Sequence, residues 1–310
     1  MTGIGDVRAA AARIGGHVLR TPVVEVAPGV LFKLECLQHS GSFKVRGAFN
    51  RILSAEVPGS GVIAASGGNH GLAVAYAARA LGIRAEIFVP EVASPVKVAG
   101  LRALGAEITQ IGSIYSEAAE AAAKRAAETG ALRVHAYDQA EVVAGQGTVG
   151  LELMEQTGGV DTILVAVGGG GLAAGVTIGA GAGAGGVRIV AVEPERIPTL
   201  HAALEAGRPV PVEVAGVAAD ALGATRLGDL AFGILSTAAV TSVLVGDEAI
   251  VEARHTLWER HRVATEHAGA TAYAALLAGA YVPAPGERVA AVVCGSNTDP
   301  ATLPRQGSAA

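Results

Sequence analysis

The chain has 310 residues, 51% of them hydrophobic and only 16% charged, which excludes a disordered chain and allows a large buried interior split between two subdomains. Its net charge of −5, with acids and bases interspersed, excludes a basic stripe for nucleic acid. Two cysteines, Cys36 and Cys294, are too few for a disulfide framework, lack metal-ligand spacing and point to a reducing cytoplasm. Met1 to Arg20 carries Asp6 and several arginines and has no continuous apolar core, so no signal peptide is expected. Val62 to Ala65 reads as a strand and Asn69 to Leu81 as a helix. Ala85 to Val89 is a strand, Pro95 to Leu104 a helix with proline at its start, and Glu107 to Ile111 a strand. Ser116 to Glu128 reads as an alanine-rich helix and Arg133 to His135 as a short strand. Thr162 to Val167 and Arg188 to Glu193 look like buried parallel strands. Ala249 to His261 and Ala268 to Ala280 read as helices, and Val289 to Cys294 as a last central strand. Ile163 to Gly186 is nearly uncharged, but its glycines and alanines fit a strand, loop and buried helix better than a membrane span. Gly181 to Gly186 reads as a loop ending a helix, and Arg305 to Ala310 as a frayed tail.

This alternation is the pattern of βαβ units around parallel sheets. It divides the chain into a large α/β domain, residues 1–54 and 141–310, and a small α/β domain, residues 55–140.

Four short segments carry chemistry. Lys44 follows a Gly-Ser-Phe turn and opens a helix-like run. Desolvation and the positive end of a helix dipole both lower an amine's pKa there and free it as a nucleophile toward a carbonyl. Gly168, Gly169, Gly170 and Gly171 follow a strand and precede a helix near Leu172, where bare backbone approaches an anion. A tight turn needs one glycine; four in a row are hard to explain by packing and favour a phosphate. The dinucleotide spacing can be threaded through this run, but only as a weak match. Ser66-Gly67-Gly68-Asn69-His70 ends a strand and opens a helix at the edge where ligands bind, with an ordinary N-cap as the plainer alternative. Cys294 ends a strand before the small-residue turn Gly295-Ser296-Asn297; by composition alone it is a buried thiol.

Together these segments resemble the fold type II family of pyridoxal-phosphate enzymes, the tryptophan synthase β-like fold, and within it the serine/threonine dehydratases and serine racemase. The resemblance runs from about Pro22 to Asp299. It implies two open parallel-sheet α/β domains with the active site in the cleft between them, and pyridoxal 5'-phosphate bound through Lys44. It also implies that Phe43 stacks on the ring, that Asn69 donates to the 3-hydroxyl, and that Gly168 to Gly171 and Leu172 hold the phosphate. By the same resemblance Cys294 faces the pyridine nitrogen, while Ser66, Gly67, Asn69 and His70 hold the substrate carboxylate. Gly145, in Gly145-Gln146-Gly147-Thr148, is implied to lie beneath the cofactor. Glu266 is placed either near the pyridine or as a cap on the following helix. Ala221 stands in a pocket loop that usually ends in glycine.

Three departures narrow the reading. Racemases carry a serine where this chain has Gly67, so elimination is favoured over racemisation. Metal-binding relatives carry an aspartate where Thr199 follows Glu193-Pro194, so no divalent metal is expected. The β-replacement enzymes follow their lysine with Asp-Arg and have a threonine-rich loop, whereas Lys44 is followed by Val45-Arg46. The resemblance therefore implies a cytoplasmic, homodimeric ammonia-lyase for L-serine or L-threonine, with a small amino acid as substrate. Its alternatives are a racemase, a lyase for a modified hydroxy amino acid such as 3-hydroxyaspartate, and a non-catalytic anion-binding module. No extension beyond about Pro300 offers a regulatory domain.

Overall fold

The computed structural model describes residues 2–93, 95–182, 186–238 and 240–304. Residues 183–185 of the Gly181 to Gly186 stretch, and the tail Arg305 to Ala310, lie outside the described residues. In chain order the first part comprises α1 (Ile4–Ile14), β1 (Val23–Ala27), β2 (Val30–Lys33) and α2 (Lys44–Leu53). Next come β3 (Val62–Ala65), α3 (Asn69–Ala80), β4 (Ala85–Val89), α4 (Pro95–Ala103), β5 (Glu107–Gln110), α5 (Tyr115–Thr129) and β6 (Leu132–Arg133). They are followed by α6 (Ala140–Thr157), β7 (Thr162–Ala166), α7 (Gly171–Gly179), β8 (Arg188–Pro194) and α8 (Thr199–Ala206). The last are α9 (Ala219–Leu222), α10 (Asp229–Leu235), β9 (Thr241–Val245), α11 (Asp247–His261), α12 (His267–Leu277) and β10 (Val289–Val292).

Among the described residues, ten strands form two sheets. One has six strands in the order β1-β2-β10-β7-β8-β9, the other four in the order β5-β4-β3-β6. All pairings are parallel except β1 with β2, a hairpin turned by Gly29 at φ +76°. The central strands β7, β10 and β8 are buried almost end to end, as continuous Val/Ile/Leu/Ala runs covered on both faces must be. No helix among the described residues is long and apolar enough to cross a membrane.

Helix α6 was not legible as a helix, because Gly145, Gly147 and Gly150 each lower helix propensity by up to about 1 kcal/mol. The glycines are there because neighbouring helices come too close for a side chain. A Cβ on Gly147 would sit 2.9 Å from the carbonyl oxygen of Gly175, and one on Gly150 would sit 2.7 Å from that of Val176, both on α7. Gly145 meets α2 in the same way, with the Arg46 carbonyl oxygen and the Gly47 Cα both at 2.7 Å. Close packing of bare backbone thus replaces the lost propensity with dispersion contacts.

Helix α2 carries Lys44 at its first position, and its roll is fixed two residues later. The Arg46 guanidinium, 1% exposed, grips the buried Glu35 through both carboxylate oxygens (2.8 and 2.7 Å) and reaches Glu152 at 3.0 Å. Lys33, also fully buried, binds Glu152, Gln156 and the Thr21 carbonyl. The two cations and two carboxylates balance. Arg46→Ala would strand Glu35 without its partner in the interior. We expect a stability loss of about 3–5 kcal/mol in urea titration, and a loss below about 1 kcal/mol would show the network to be dispensable.

Candidate active site

Between the two sheets lies a cavity lined by Phe43, Lys44, Asn69, Gly168, Cys294 and their neighbours. It adjoins a wider cleft walled by the Ser66–His70 loop, Tyr115 and the short helix α9. Most of the residues singled out from the sequence therefore meet here, though they come from distant parts of the chain.

Lys44 Nζ donates to the carbonyl of Ala136 at 2.7 Å and lies 5.3 Å from the centre of the Phe43 ring. Burial strips water from the ammonium and lowers its pKa to about 8. Only the neutral amine attacks a carbonyl, and its fraction grows as pH rises toward that value. Capture of an aldehyde cofactor by the free protein should therefore slow about tenfold for each pH unit below about 8 and level off above it. Stopped-flow absorbance can follow this; a rate flat or falling across the range would contradict the assignment.

The glycine run needs a correction. Each of the four is already demanded by packing. A Cβ on Gly168 would meet the Leu222 carbonyl oxygen at 2.9 Å, one on Gly169 would collide with the Tyr137 ring, and one on Gly171 would meet the Tyr137 carbonyl oxygen at 2.8 Å. Gly170 has φ +86° and faces Leu227 and Ala231. The glycines alone therefore do not argue for a ligand. Their amides do. The Gly168 carbonyl is held by Thr199 Oγ1 at 2.5 Å and that of Gly169 by the Gly228 amide at 3.1 Å. The N–H groups of Gly168 through Leu172, by contrast, find no acceptor among the described residues. Consecutive unsatisfied donors at the start of a nine-residue helix, lining a cavity, fit a phosphate.

A second set of free donors lies on the Ser66–His70 loop. Ser66 Oγ accepts from the Gly68 amide at 3.1 Å, which shapes the turn. The amides of Gly67, Asn69 and His70 have no acceptor among the described residues. His70 Nε2 meets the Val134 carbonyl at 2.9 Å; since a carbonyl only accepts, this nitrogen carries the proton. Burial depresses the His70 pKa to about 3, so the ring is neutral. A Cβ on Gly67 would make only ordinary contacts, 3.7 Å to Val89 and 3.9 Å to Ala93.

Cys294 Sγ donates to the Ala268 carbonyl at 3.5 Å, and burial drives its pKa far up, so the thiol stays neutral. Glu266 stands at the N-cap position of α12 but does not cap it with its side chain. Instead its carboxyl group takes the Asn69 amide at 2.6 Å inside the cavity, and burial raises its pKa to about 8. Gly145 lines neither the cavity nor the cleft; contact with α2 accounts for it. Glu193 accepts from the amides of Leu200 (2.7 Å) and His201 (2.9 Å), tying down the start of α8, and Thr199 Oγ1 lies 3.1 Å from it. No cluster of three metal-type side chains occurs among the described residues.

Tyr137 was missed. It lies against the glycine loop, lines both spaces, and holds a neutral phenol, its pKa raised to about 12 by burial. Its signal was its place, just after the carboxyl end of a small-sheet strand, where ligands gather. Lys97 and Asp220, 3.6 Å apart, face each other across the cleft.

An amine of lowered pKa, a nest of unsatisfied amides and a neutral thiol in one cavity define an enzyme that works through an aldehyde-bearing phosphate cofactor. Residues 14–295 match the family described as "Pyridoxal-phosphate dependent enzyme", and the chain belongs to it. It is 39% identical to an L-threonine ammonia-lyase of Thermotoga maritima over 96% of this chain and 76% of that protein. It is 37% identical to a phenylserine dehydratase of Ralstonia pickettii, covering 95% and 93%. The structure of maize serine racemase superposes with a TM-score of 0.91 at 35% identity, covering 97% of this chain and 95% of that one. The fold is that of fold type II pyridoxal-phosphate enzymes, and the cofactor is pyridoxal 5'-phosphate.

Proposed function

We propose that this protein is an ammonia-lyase that removes water and ammonia from L-serine or L-threonine, giving pyruvate or 2-oxobutanoate. The observation that carries the reading is an asymmetry: Lys44 supplies a titratable amine on one side of the site, while Gly67 leaves the Ser66–His70 side without an acid-base group at that position. The cofactor, when bound, supplies an electron sink that eases loss of the Cα proton. Lys44 would hold its aldehyde carbon, and the amides of Gly168 to Gly171 and Leu172 would hold its phosphate. Phe43 would pack on its ring, Asn69 would donate to its ring oxygen, and the neutral Cys294 thiol would face its ring nitrogen. The free amides of Gly67, Asn69 and His70, with Ser66, hold the substrate carboxylate at the positive end of α3. The free amine of Lys44 would be the base for the Cα proton. Loss of the β-hydroxyl as water, with the proton taken from Cα making up the balance, would leave an enamine whose hydrolysis gives the 2-oxo acid and ammonia.

Residues 1–54 and 141–310 form the cofactor domain in this reading, and 55–140 the domain that carries the carboxylate loop. The assembly in this reading is a homodimer. Two buried free thiols support residence in the cytoplasm. The purified holoenzyme should release 2-oxo acid and ammonia in equal amounts from L-serine or L-threonine, measured by a coupled dehydrogenase assay. No 2-oxo acid from either would defeat the proposal.

A further inference from the structure

A hydrogen-bonded chain runs from the backbone into the cavity. Asn297 Nδ2 donates to the Ser40 carbonyl at 2.8 Å and to Asn69 Oδ1 at 2.7 Å. Asn69 Nδ2 donates in turn to Glu266 Oε1 at 2.6 Å. A backbone carbonyl can only accept, so Ser40 decides which way the Asn297 amide faces. With its NH2 group turned that way, Asn297 must meet the oxygen of the Asn69 amide. Asn69 is left with its nitrogen toward Glu266 and the cavity. That nitrogen has two hydrogens, and Glu266 engages one.

The far end of the chain is Glu266, 4% exposed. The groups acting on it are Lys44 from α2, Lys97 from α4, Asp220 from α9, Arg254 from α11, and the thiols Cys36 and Cys294. Burial outweighs them all, and at neutral pH the carboxyl group is a neutral acid. Its Oε1 accepts from Asn69. Its other oxygen has no partner among the described residues, and Glu266 lines the cavity. Two donors, the second Asn69 N–H and the Glu266 O–H, are thus available at one wall, while Asn297 itself lies behind it.

We propose that Asn297 is a positioning residue that locks Asn69 as a donor, so that the site holds the cofactor with its ring oxygen as an anion. The proposal rests on the reading above that the cofactor ring lies between Asn69 and Cys294. Two donors stabilise an anionic oxygen, whereas an amide oxygen turned to the same point would repel it.

Asn297→Asp tests the lock, because it swaps the NH2 for an oxygen at almost unchanged shape. An aspartate presents an acceptor to Asn69, so the Asn69 amide turns over and its oxygen faces the cavity. In the holoenzyme the visible absorbance of the ring-oxygen anion should fall and the shorter-wavelength band of the neutral form should grow. Cofactor affinity should drop about tenfold or more, the measure of a lost charge-assisted hydrogen bond. Far-UV circular dichroism should not change. Should Asn297→Asp not fold, Glu266→Gln reads the same chain. It should keep the anion band at neutral pH and abolish any change in that band as pH rises through about 8. A folded Asn297→Asp protein with wild-type spectrum and affinity would overturn the lock, as would a Glu266→Gln protein that titrates like the wild type. A wild-type protein with no cofactor band at all would overturn the site reading, and the lock with it.

Discussion

Lys44→Ala is expected to abolish turnover while leaving the fold intact. In the proposed reading this amine anchors the cofactor and takes the Cα proton. Loss of a positioned base alone costs about 10²–10⁴-fold in rate. The side chain contributes one hydrogen bond, to Ala136, and lies on the cavity wall, so removing it opens no void in the core. Two other lysines bear on the test. Lys33 is locked in the Arg46 network, and Lys97 is half-exposed beside Asp220. Borohydride reduction followed by peptide mass spectrometry should place the cofactor adduct on Lys44. An adduct on Lys97, the other lysine at the cleft, would contradict the assignment.

Gly67→Ser is expected to turn part of the elimination into racemisation. The structure has room for the new side chain, since its Cβ would touch only Val89 and Ala93 at ordinary distances. The hydroxyl would stand on the face of the substrate opposite Lys44 and could deliver a proton there. We expect the ratio of D-serine to pyruvate to rise about tenfold or more, a modest share of what a placed acid-base group contributes. A folded Gly67→Ser protein with an unchanged product ratio would show that position 67 does not decide the outcome.

Much of this site was legible before any coordinates. Strands β3, β4 and β7 and helix α3 were read to within a residue or so, because short β-branched runs and alanine-rich runs broken by glycine or proline follow simple periodicities. The Lys44, glycine-run and Ser66–His70 segments were found for the same reason: each sits where a strand or turn hands over to a helix. The hairpin β1–β2 and the strand β9 went unread because they are short, and β1 and β9 are also partly exposed. Helix α6 was hidden by glycines whose reason is tertiary, the approach of α2 and α7. The inference from four glycines to a phosphate reached its conclusion for an insufficient reason. Packing against Tyr137, Leu222 and Leu227 accounts for the missing side chains, and only the unsatisfied amides speak for an anion. Glu266 could not be placed from sequence, since a residue before a helix is normally read as its cap. Its partner Asn69 lies 197 positions away.

Chiral chromatography of the products formed from L-serine by the unmodified holoenzyme tests the central claim most directly. Elimination at a site with Lys44 on one face and Gly67 on the other predicts pyruvate with matching ammonia and only minor D-serine. D-serine as the dominant product would contradict it.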